Sequence, residues 1–131
     1  MKDKNIIIAL SHGNFRDELL LYFGHNGANV HLISDNASLL KLLKSETIHC
    51  IVTQMMFGGE DSIELILKVF DINSNIPVIL IDQTGKSNKR LAERLKVAAY
   101  FQKPFSSLDV FQATAKILET SNHVLHDQYI T

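Results

Sequence analysis

The sequence has very little cysteine and no long hydrophobic run. Cys50 is the single cysteine among 131 residues, so an internal disulfide is excluded and a reducing, cytoplasmic compartment is expected. The apolar run Ile6–Leu10 is far shorter than the roughly 20 residues that a membrane-spanning helix needs, and no other run approaches that length. We therefore expect no membrane partner for this chain.

Neither sign of charge predominates. Thirteen Lys and Arg residues face fourteen Asp and Glu residues, and the resulting net charge of −1 argues against a strong general attraction to nucleic acid. The hydrophobic fraction of 46% and the charged fraction of 21% are typical of a globular protein. We predict one globular domain over residues 1–121, and a polar tail or the start of a linker over residues 122–131.

Short apolar runs alternate with longer amphipathic segments along most of the chain. Strands that alternate with helices in this way favour a parallel sheet with helical crossovers, because parallel neighbours need long connections. We predict an α/β fold, a doubly wound five-stranded parallel sheet in the order 2-1-3-4-5 with five helices. The predicted strands are Asn5–Leu10, Asn29–Ser34, Ile48–Thr53, Pro77–Ile81 and Ala99–Lys103, and the predicted helices span 14–25, 36–45, 60–71, 87–97 and 106–120.

Capping residues and apolar spacing add detail to the predicted helices. Asp35 or Asn36 is expected to cap the second helix, and Ser106 or Ser107 the fifth. In the fifth helix, one apolar stripe recurs with helical spacing and is predicted to face the core. Its members are Leu108, Phe111, Ala115 and Leu118.

Polar side chains collect at the carboxyl ends of the predicted strands, the edge where sheets of this type carry their functional groups. They are Ser11, His12, Gln54, Asp82 and Lys103.

Three patches of the sequence resemble the response-regulator receiver domain, the module that is phosphorylated on an aspartate in two-component signalling. The segment Gln54–Leu65 is similar to the loop and helix after the family's third strand. Pro77–Ile81 resembles its fourth strand, and Tyr100–Phe105, with its Lys-Pro-Phe sequence, resembles its fifth. The resemblance spans roughly residues 5–120. It implies a flavodoxin-like fold and a role in signal transduction.

The family's phosphorylation residues are mostly missing from the matching positions. The acidic pair falls on Leu10-Ser11 or Ser11-His12, and the phosphoacceptor aspartate falls on Gln54. Asp82 stands where the family has Ser or Thr, and only Lys103 matches. Without carboxylates the pocket is a poor Mg²⁺ site, and an amide cannot form an acyl phosphate. We predict a pseudo-receiver that is not an enzyme and needs no metal or cofactor.

The resemblance also implies roles for three further groups. Asp82 is expected to pair with Lys103, since neither has another opposite charge among the mapped residues. Tyr100 occupies the place of the aromatic that swings inward and outward in signalling receivers, and with Asp82 it forms the switch-like pair. We expect a static, half-buried tyrosine there. The peptide bond before Pro104 is expected to be cis.

A second resemblance offers an alternative function. The segment Ile7–Phe15 is similar to the first strand and loop of the mannose-type phosphotransferase-system A component, which carries phosphate on the histidine of a Ser/Thr-His-Gly motif. This alternative assigns the phosphate to His12, since a neutral imidazole is a competent nucleophile. A third, weaker interpretation is an FMN-type phosphate loop at Ser11–Asn14, which lacks the expected hydroxyl donors.

The predicted fourth and fifth helices suggest a partner surface. The fourth is strongly basic, whereas the fifth carries the acid Asp109 beside the apolar residues Val110 and Ile117. Receivers that dimerise commonly use the helix 4–strand 5–helix 5 surface, and a two-fold interface must complement itself. We expect this surface to bind a protein partner or a second copy, and the domain itself to bind no nucleic acid. The basic residues are Lys86, Lys89, Arg90, Arg94 and Lys96.

Overall fold

The structure is a computed structural model that describes residues 1–120, and the predicted tail at 122–131 lies outside the described residues. Its centre is one sheet of five parallel strands in the order β2-β1-β3-β4-β5. The predicted fold class and strand order are therefore confirmed. The strands are β1 (Asn5–Ala9), β2 (Asn29–Leu32), β3 (Cys50–Gln54), β4 (Val78–Asp82) and β5 (Ala99–Gln102).

Five helices cover the two faces of the sheet. Asp35 caps the second helix by accepting a hydrogen bond from the Ser38 backbone N–H at 2.7 Å. Ser106 caps the fifth helix, where its hydroxyl accepts from the backbone N–H of Asp109 at 3.0 Å. The helices are α1 (Asn14–His25), α2 (Asn36–Ser45), α3 (Ile63–Ile72), α4 (Lys89–Leu95) and α5 (Ser107–Thr120).

A small β-hairpin precedes α3. Met56–Phe57 pairs antiparallel with Glu60–Asp61, and Gly58 and Gly59 form the two-residue turn. Both glycines have positive φ angles, 65° and 81°, which other residues rarely adopt and which this kind of tight hairpin turn requires. The hairpin uses the residues that were expected to open the third helix, so α3 begins at Ile63 instead of residue 60.

Alternate side chains of each strand enter two separate cores. Ile7, Ile51 and Leu80 point to the side covered by α2, α3 and α4. Ile8, Val52 and Ile79 point to the side covered by α1 and α5. A parallel sheet covered on both faces needs apolar residues at nearly every strand position, which explains the continuous apolar runs.

The orientation of α5 differs from the prediction. Val110 and Ile117 are buried against the sheet, whereas Leu108, assigned to the core stripe, is 42% exposed. Phe111 is partly buried and packs on α1, where its ring centroid lies 5.4 Å from that of Tyr22. The predicted stripe was therefore wrong at Leu108, whereas Leu118 is buried in the core and Phe111 packs against that core as predicted. Val110 and Ile117 belong to the core and are not available to a partner.

The cysteine lies deep in the sheet. Cys50 is fully buried in β3, and this burial raises the pKa of its thiol to about 12. Within residues 1–120, none of the helices is both long and apolar enough to cross a membrane. No cluster of three His, Cys, Asp or Glu side chains in that part of the chain is placed to hold a metal ion.

Candidate functional site

The Gln54 side chain bridges the loops that follow β1 and β3. Its Oε1 atom accepts the Ser11 backbone N–H at 2.9 Å. Its Nε2 atom donates to the Ser11 hydroxyl at 2.8 Å and to the Met56 carbonyl at 2.6 Å. Ser11 and Gln54, both predicted to belong to the pocket, are thus in direct contact. Parallel strand ends bring them together, although 43 residues separate them in the chain.

The Gln54 side chain presents an amide at this position, with hydrogen-bond donors where a carboxylate would present only acceptors. Mg²⁺ binds oxygen ligands, above all carboxylates, and the Gln54 amide directs hydrogen-bond donors at the nearest oxygens instead. The Met56 carbonyl also accepts from Gln83 Nε2 at 3.0 Å. Two amide groups therefore engage this carbonyl oxygen, and the amide at the phosphoacceptor position has no nucleophilic oxygen to offer.

Asp82, at the end of β4, is the organising group of the neighbouring loop. Its carboxylate is buried and accepts four hydrogen bonds. Thr84 donates through its backbone N–H at 3.0 Å and its hydroxyl at 2.6 Å, Asn88 donates through Nδ2 at 2.9 Å, and Tyr100 donates through its hydroxyl. Burial acts to raise the pKa of Asp82, but these hydrogen bonds outweigh it and lower the pKa below its ordinary value.

Tyr100 is held inside the protein by the same network. It is fully buried and not half-buried as expected, because its hydroxyl donates to Asp82 and accepts the Asn88 backbone N–H at 2.8 Å. Burial and the hydrogen bond to Asp82 raise the pKa of Tyr100 to about 12. The two members of the switch-like pair are therefore in contact, and they hold the residue that precedes α4.

Lys103 does not join this network. The expected ion pair with Asp82 was wrong, since the structure places no ion pair between them within residues 1–120. The carboxylate of Asp82 is occupied by neutral donors inside the protein, whereas Lys103 is exposed at the end of β5. The Lys103–Pro104 peptide bond is cis, as the resemblance predicts.

Comparison with known proteins identifies the fold. No family model matches the chain. In sequence it is 25% identical over 105 residues to the regulatory protein VirG of Agrobacterium tumefaciens, a match that covers 79% of this chain and 39% of VirG. In structure it is similar to a CheY-like response regulator receiver domain from Methanospirillum hungatei, with a TM-score of 0.78, 16% identity and coverage of 92% of this chain and 97% of that one. The chain has the fold of a response-regulator receiver domain.

A further neighbour of this receiver fold is a member of a family of streptococcal redox sensors that evolved from two-component response regulators. It has a TM-score of 0.79 and 15% identity, and the match covers 89% of this chain and 52% of that chain. The receiver resemblance is confirmed, and the phosphotransferase alternative receives no support from these relatives. The chain spans about two fifths of the length of VirG.

His12 lies apart from the Gln54 and Asp82 networks. It is exposed in the loop between β1 and α1 of the receiver fold, and it lines a cleft with Ser11 and Arg16. The predicted pocket is thus divided into the Ser11–Gln54 contact, the Asp82–Tyr100 contact, the exposed Lys103 and the cleft at His12.

Only some of the residues assigned to the predicted partner surface are exposed. Lys89, Arg90 and Arg94 are exposed on α4, and they border a groove of about 580 Å³. Asp109 is exposed on the first turn of α5, where its carboxylate accepts the Ser106 backbone N–H at 3.4 Å. Val110 and Ile117 were wrongly placed on this surface, because the sheet-facing side of α5 is the one that contains them.

Sequence reasoning missed Thr84, Gln83 and Asn88. The signal for Thr84 is the Asp82-Gln83-Thr84 sequence directly after a buried strand, since an aspartate often accepts a hydrogen bond from the backbone two residues later. Asn88 gives no comparable local signal, because its contact with Asp82 depends on the path of the whole intervening loop.

Proposed function

We propose that this chain is an atypical receiver, a pseudo-receiver, that acts in two-component-type signal transduction through protein–protein contact and without aspartate phosphorylation. The observation that carries the proposal is Gln54 at the phosphoacceptor position, with its amide bonded to Ser11 and to the Met56 carbonyl. No step of this function uses a cofactor or an enzymatic reaction of the chain. The cytoplasm is the compartment that suits such a role.

The Asp82–Tyr100 network supports the proposal. In the receiver family the corresponding hydroxyl residue and aromatic change position during signalling, as the resemblance implies. Here a carboxylate replaces the hydroxyl and hydrogen-bonds the inward tyrosine, so a single arrangement is stabilised with no phosphoryl group. The Asn88 backbone N–H extends that arrangement to the start of α4. These hydrogen bonds therefore fix the start of α4, one border of the surface formed by α4, β5 and α5.

The basic side chains of this surface favour a partner with acidic groups. Arg90 and Arg94 border a groove with Leu91, so an acidic segment with an apolar side chain is complementary to it. On α5, Asp109 supplies an acidic group and the exposed Leu108 an apolar side chain. A second copy of this chain is therefore one candidate partner. A separate output protein with an acidic surface is the other.

The streptococcal neighbour is an example of a receiver fold that serves as a redox sensor. Cys50 does not support that role here, because a buried thiol with a pKa of about 12 has almost no thiolate at neutral pH. Protein contact therefore remains the proposed mode of action.

The proposal is tested by offering the protein the reagents that activate receivers. The ¹⁵N-labelled chain is titrated with beryllofluoride in the presence of Mg²⁺ and followed by NMR. A second sample is incubated with acetyl phosphate, and its intact mass is measured by mass spectrometry. We expect no saturable amide shifts around Gln54 and Lys103, and no mass gain of one phosphoryl group. A receiver that retains its phosphoacceptor aspartate is the positive control. A phosphoryl adduct on any pocket residue would contradict the proposal.

A further inference from the structure

A cleft lined in part by Ser11 lies beside the Ser11–Gln54 contact, and Asp82 is not among its lining residues. It has a volume of about 310 Å³ and lies between the loop after β1, the end of β2 and the hairpin turn. This volume is at the lower end of the range of small-molecule sites, about 300–1,000 Å³. The cleft combines apolar and polar walls, with Leu32 and Phe57 among the apolar residues.

Arg16 is the charged residue of this cleft and is unusually enclosed. Its side chain is only 17% exposed, and its Nε atom is buried with no hydrogen-bond partner in the described part of the chain. Its one ion pair is loose, with 3.6 Å between Nη2 and an oxygen of the largely exposed Asp17. Arg16 nevertheless lines the cleft, so its guanidinium brings a positive charge that is only loosely neutralised to the cleft wall.

The other polar groups of the cleft are also hydrogen-bond donors. His12 contributes an imidazole and Ser34 a hydroxyl, and no acidic residue lines the cleft among residues 1–120. The Ser11 hydroxyl accepts from Gln54, which leaves its hydrogen available for donation. Because no carboxylate lines the cleft among residues 1–120, nothing on its wall opposes the charge of Arg16.

We propose that the cleft binds the phosphomonoester group of a small molecule. Arg16 supplies the positive charge, since its planar fork matches the oxygens of a phosphate. Ser11, His12 and Ser34 supply hydrogen bonds, and Leu32 and Phe57 contact the apolar part of the ligand. Binding at this site requires neither phosphorylation of the chain nor the α4 surface. A negative result in the test below would therefore contradict this site without contradicting the proposed function.

The test uses the ¹⁵N-labelled full chain and phenyl phosphate as the probe, at constant ionic strength. We expect saturable shifts of the amides of Ser11, His12, Gly13 and Ser34, with tighter binding of phenyl phosphate than of inorganic phosphate. Phenol, which lacks the anion, should cause no saturable shifts. The expected loss of affinity in Arg16→Gln is about tenfold or more, which corresponds to about 1.4 kcal/mol.

Two further variants make the test specific. Lys68→Gln removes an exposed cation from α3 and should leave the affinity unchanged. His12→Gln alters an exposed residue and should weaken binding several-fold, which covers the case in which Arg16→Gln fails to fold. The proposal is overturned if phenyl phosphate causes no saturable shifts at millimolar concentration. It is equally overturned if the shifts map to α4 or disappear in Lys68→Gln, or if phenol reproduces them.

Discussion

At the scale of single residues, the carboxylate at the end of β4 shows how this fold stabilises a buried charge without a counterion. Asp82 is buried yet remains the acceptor of four hydrogen bonds, so the ionised form is stabilised by donors and not by a counterion. Because the folded-state pKa is below the ordinary value of 3.8, this group stabilises the fold above that pH. The contribution is lost as the pH falls through the lowered pKa.

The phenolic hydroxyl of Tyr100 should therefore contribute measurably to stability. Tyr100→Phe removes one donor from the buried carboxylate and leaves the Asn88 backbone N–H without its acceptor. We expect the free energy of unfolding in urea to fall by about 1–3 kcal/mol at neutral pH. Tyr22→Phe is the matched control, since Tyr22 is half-buried on α1, and its effect should stay within about 0.5 kcal/mol. Equal stabilities for the two variants would show that the network contributes nothing.

The positions of Gln54 and Asp82 were predictable, but their partners were not. Each residue follows a buried apolar strand, and parallel strand ends necessarily meet at one edge of the sheet. Charge alone suggested that Asp82 would pair with Lys103. The structure satisfies Asp82 with neutral donors, and one of them, Asn88, arrives by a loop whose course no local sequence pattern specifies.

At the scale of elements, α5 shows where helical periodicity becomes ambiguous. Two apolar stripes overlap on this helix, one through Leu108 and one through Val110, and spacing alone does not choose between them. In the structure the Val110 stripe faces the core, because α5 covers the sheet with this side. Phe111 at the same time packs against the aromatic rings of α1. The hairpin before α3 was missed for a different reason, since Gly58-Gly59 was interpreted by family resemblance instead of by turn chemistry.

Truncating the two stripes separately tests the orientation of α5. Ile117→Ala removes a side chain that is only 6% exposed, and we expect a loss of about 2–5 kcal/mol in the free energy of unfolding. Leu108→Ala shortens a side chain at the surface, and its effect should be within about 0.5 kcal/mol. Chemical denaturation of both variants under the same conditions gives the comparison. A larger loss for Leu108→Ala would reverse the orientation described here.

At the scale of the whole molecule, a nearly neutral chain carries an uneven charge distribution. The alternation of strands and helices was sufficient to predict the sheet and its strand order. Both predictions depend on the number and order of the elements, so errors of a few residues in the element boundaries do not change them. Charge distribution depends instead on which side of each helix is buried. In α4, Ala92 and Leu95 face the core, so Lys89, Arg90 and Arg94 are exposed together.

Self-association through this basic surface should be sensitive to charge reversal. Arg90→Glu with Arg94→Glu is expected to convert a dimer to a monomer at moderate salt, since both side chains border the proposed interface groove. Size-exclusion chromatography with light scattering measures the change. Lys41→Glu with Lys44→Glu reverses two exposed charges on α2 and should leave the mass unchanged. A wild-type protein that remains monomeric at high concentration would leave this surface without a role in self-association.

The placement of Cys50 has a practical consequence for following such events in solution. The native thiol is inside the sheet and stays protonated at neutral pH, so maleimide reagents find no accessible thiol among residues 1–120. A cysteine introduced at an exposed position such as Lys89 or Ala37 would then be the one accessible thiol among residues 1–120. A fluorophore or spin label attached there reports on the α4 surface or on the His12 cleft, with no need to replace a core residue first.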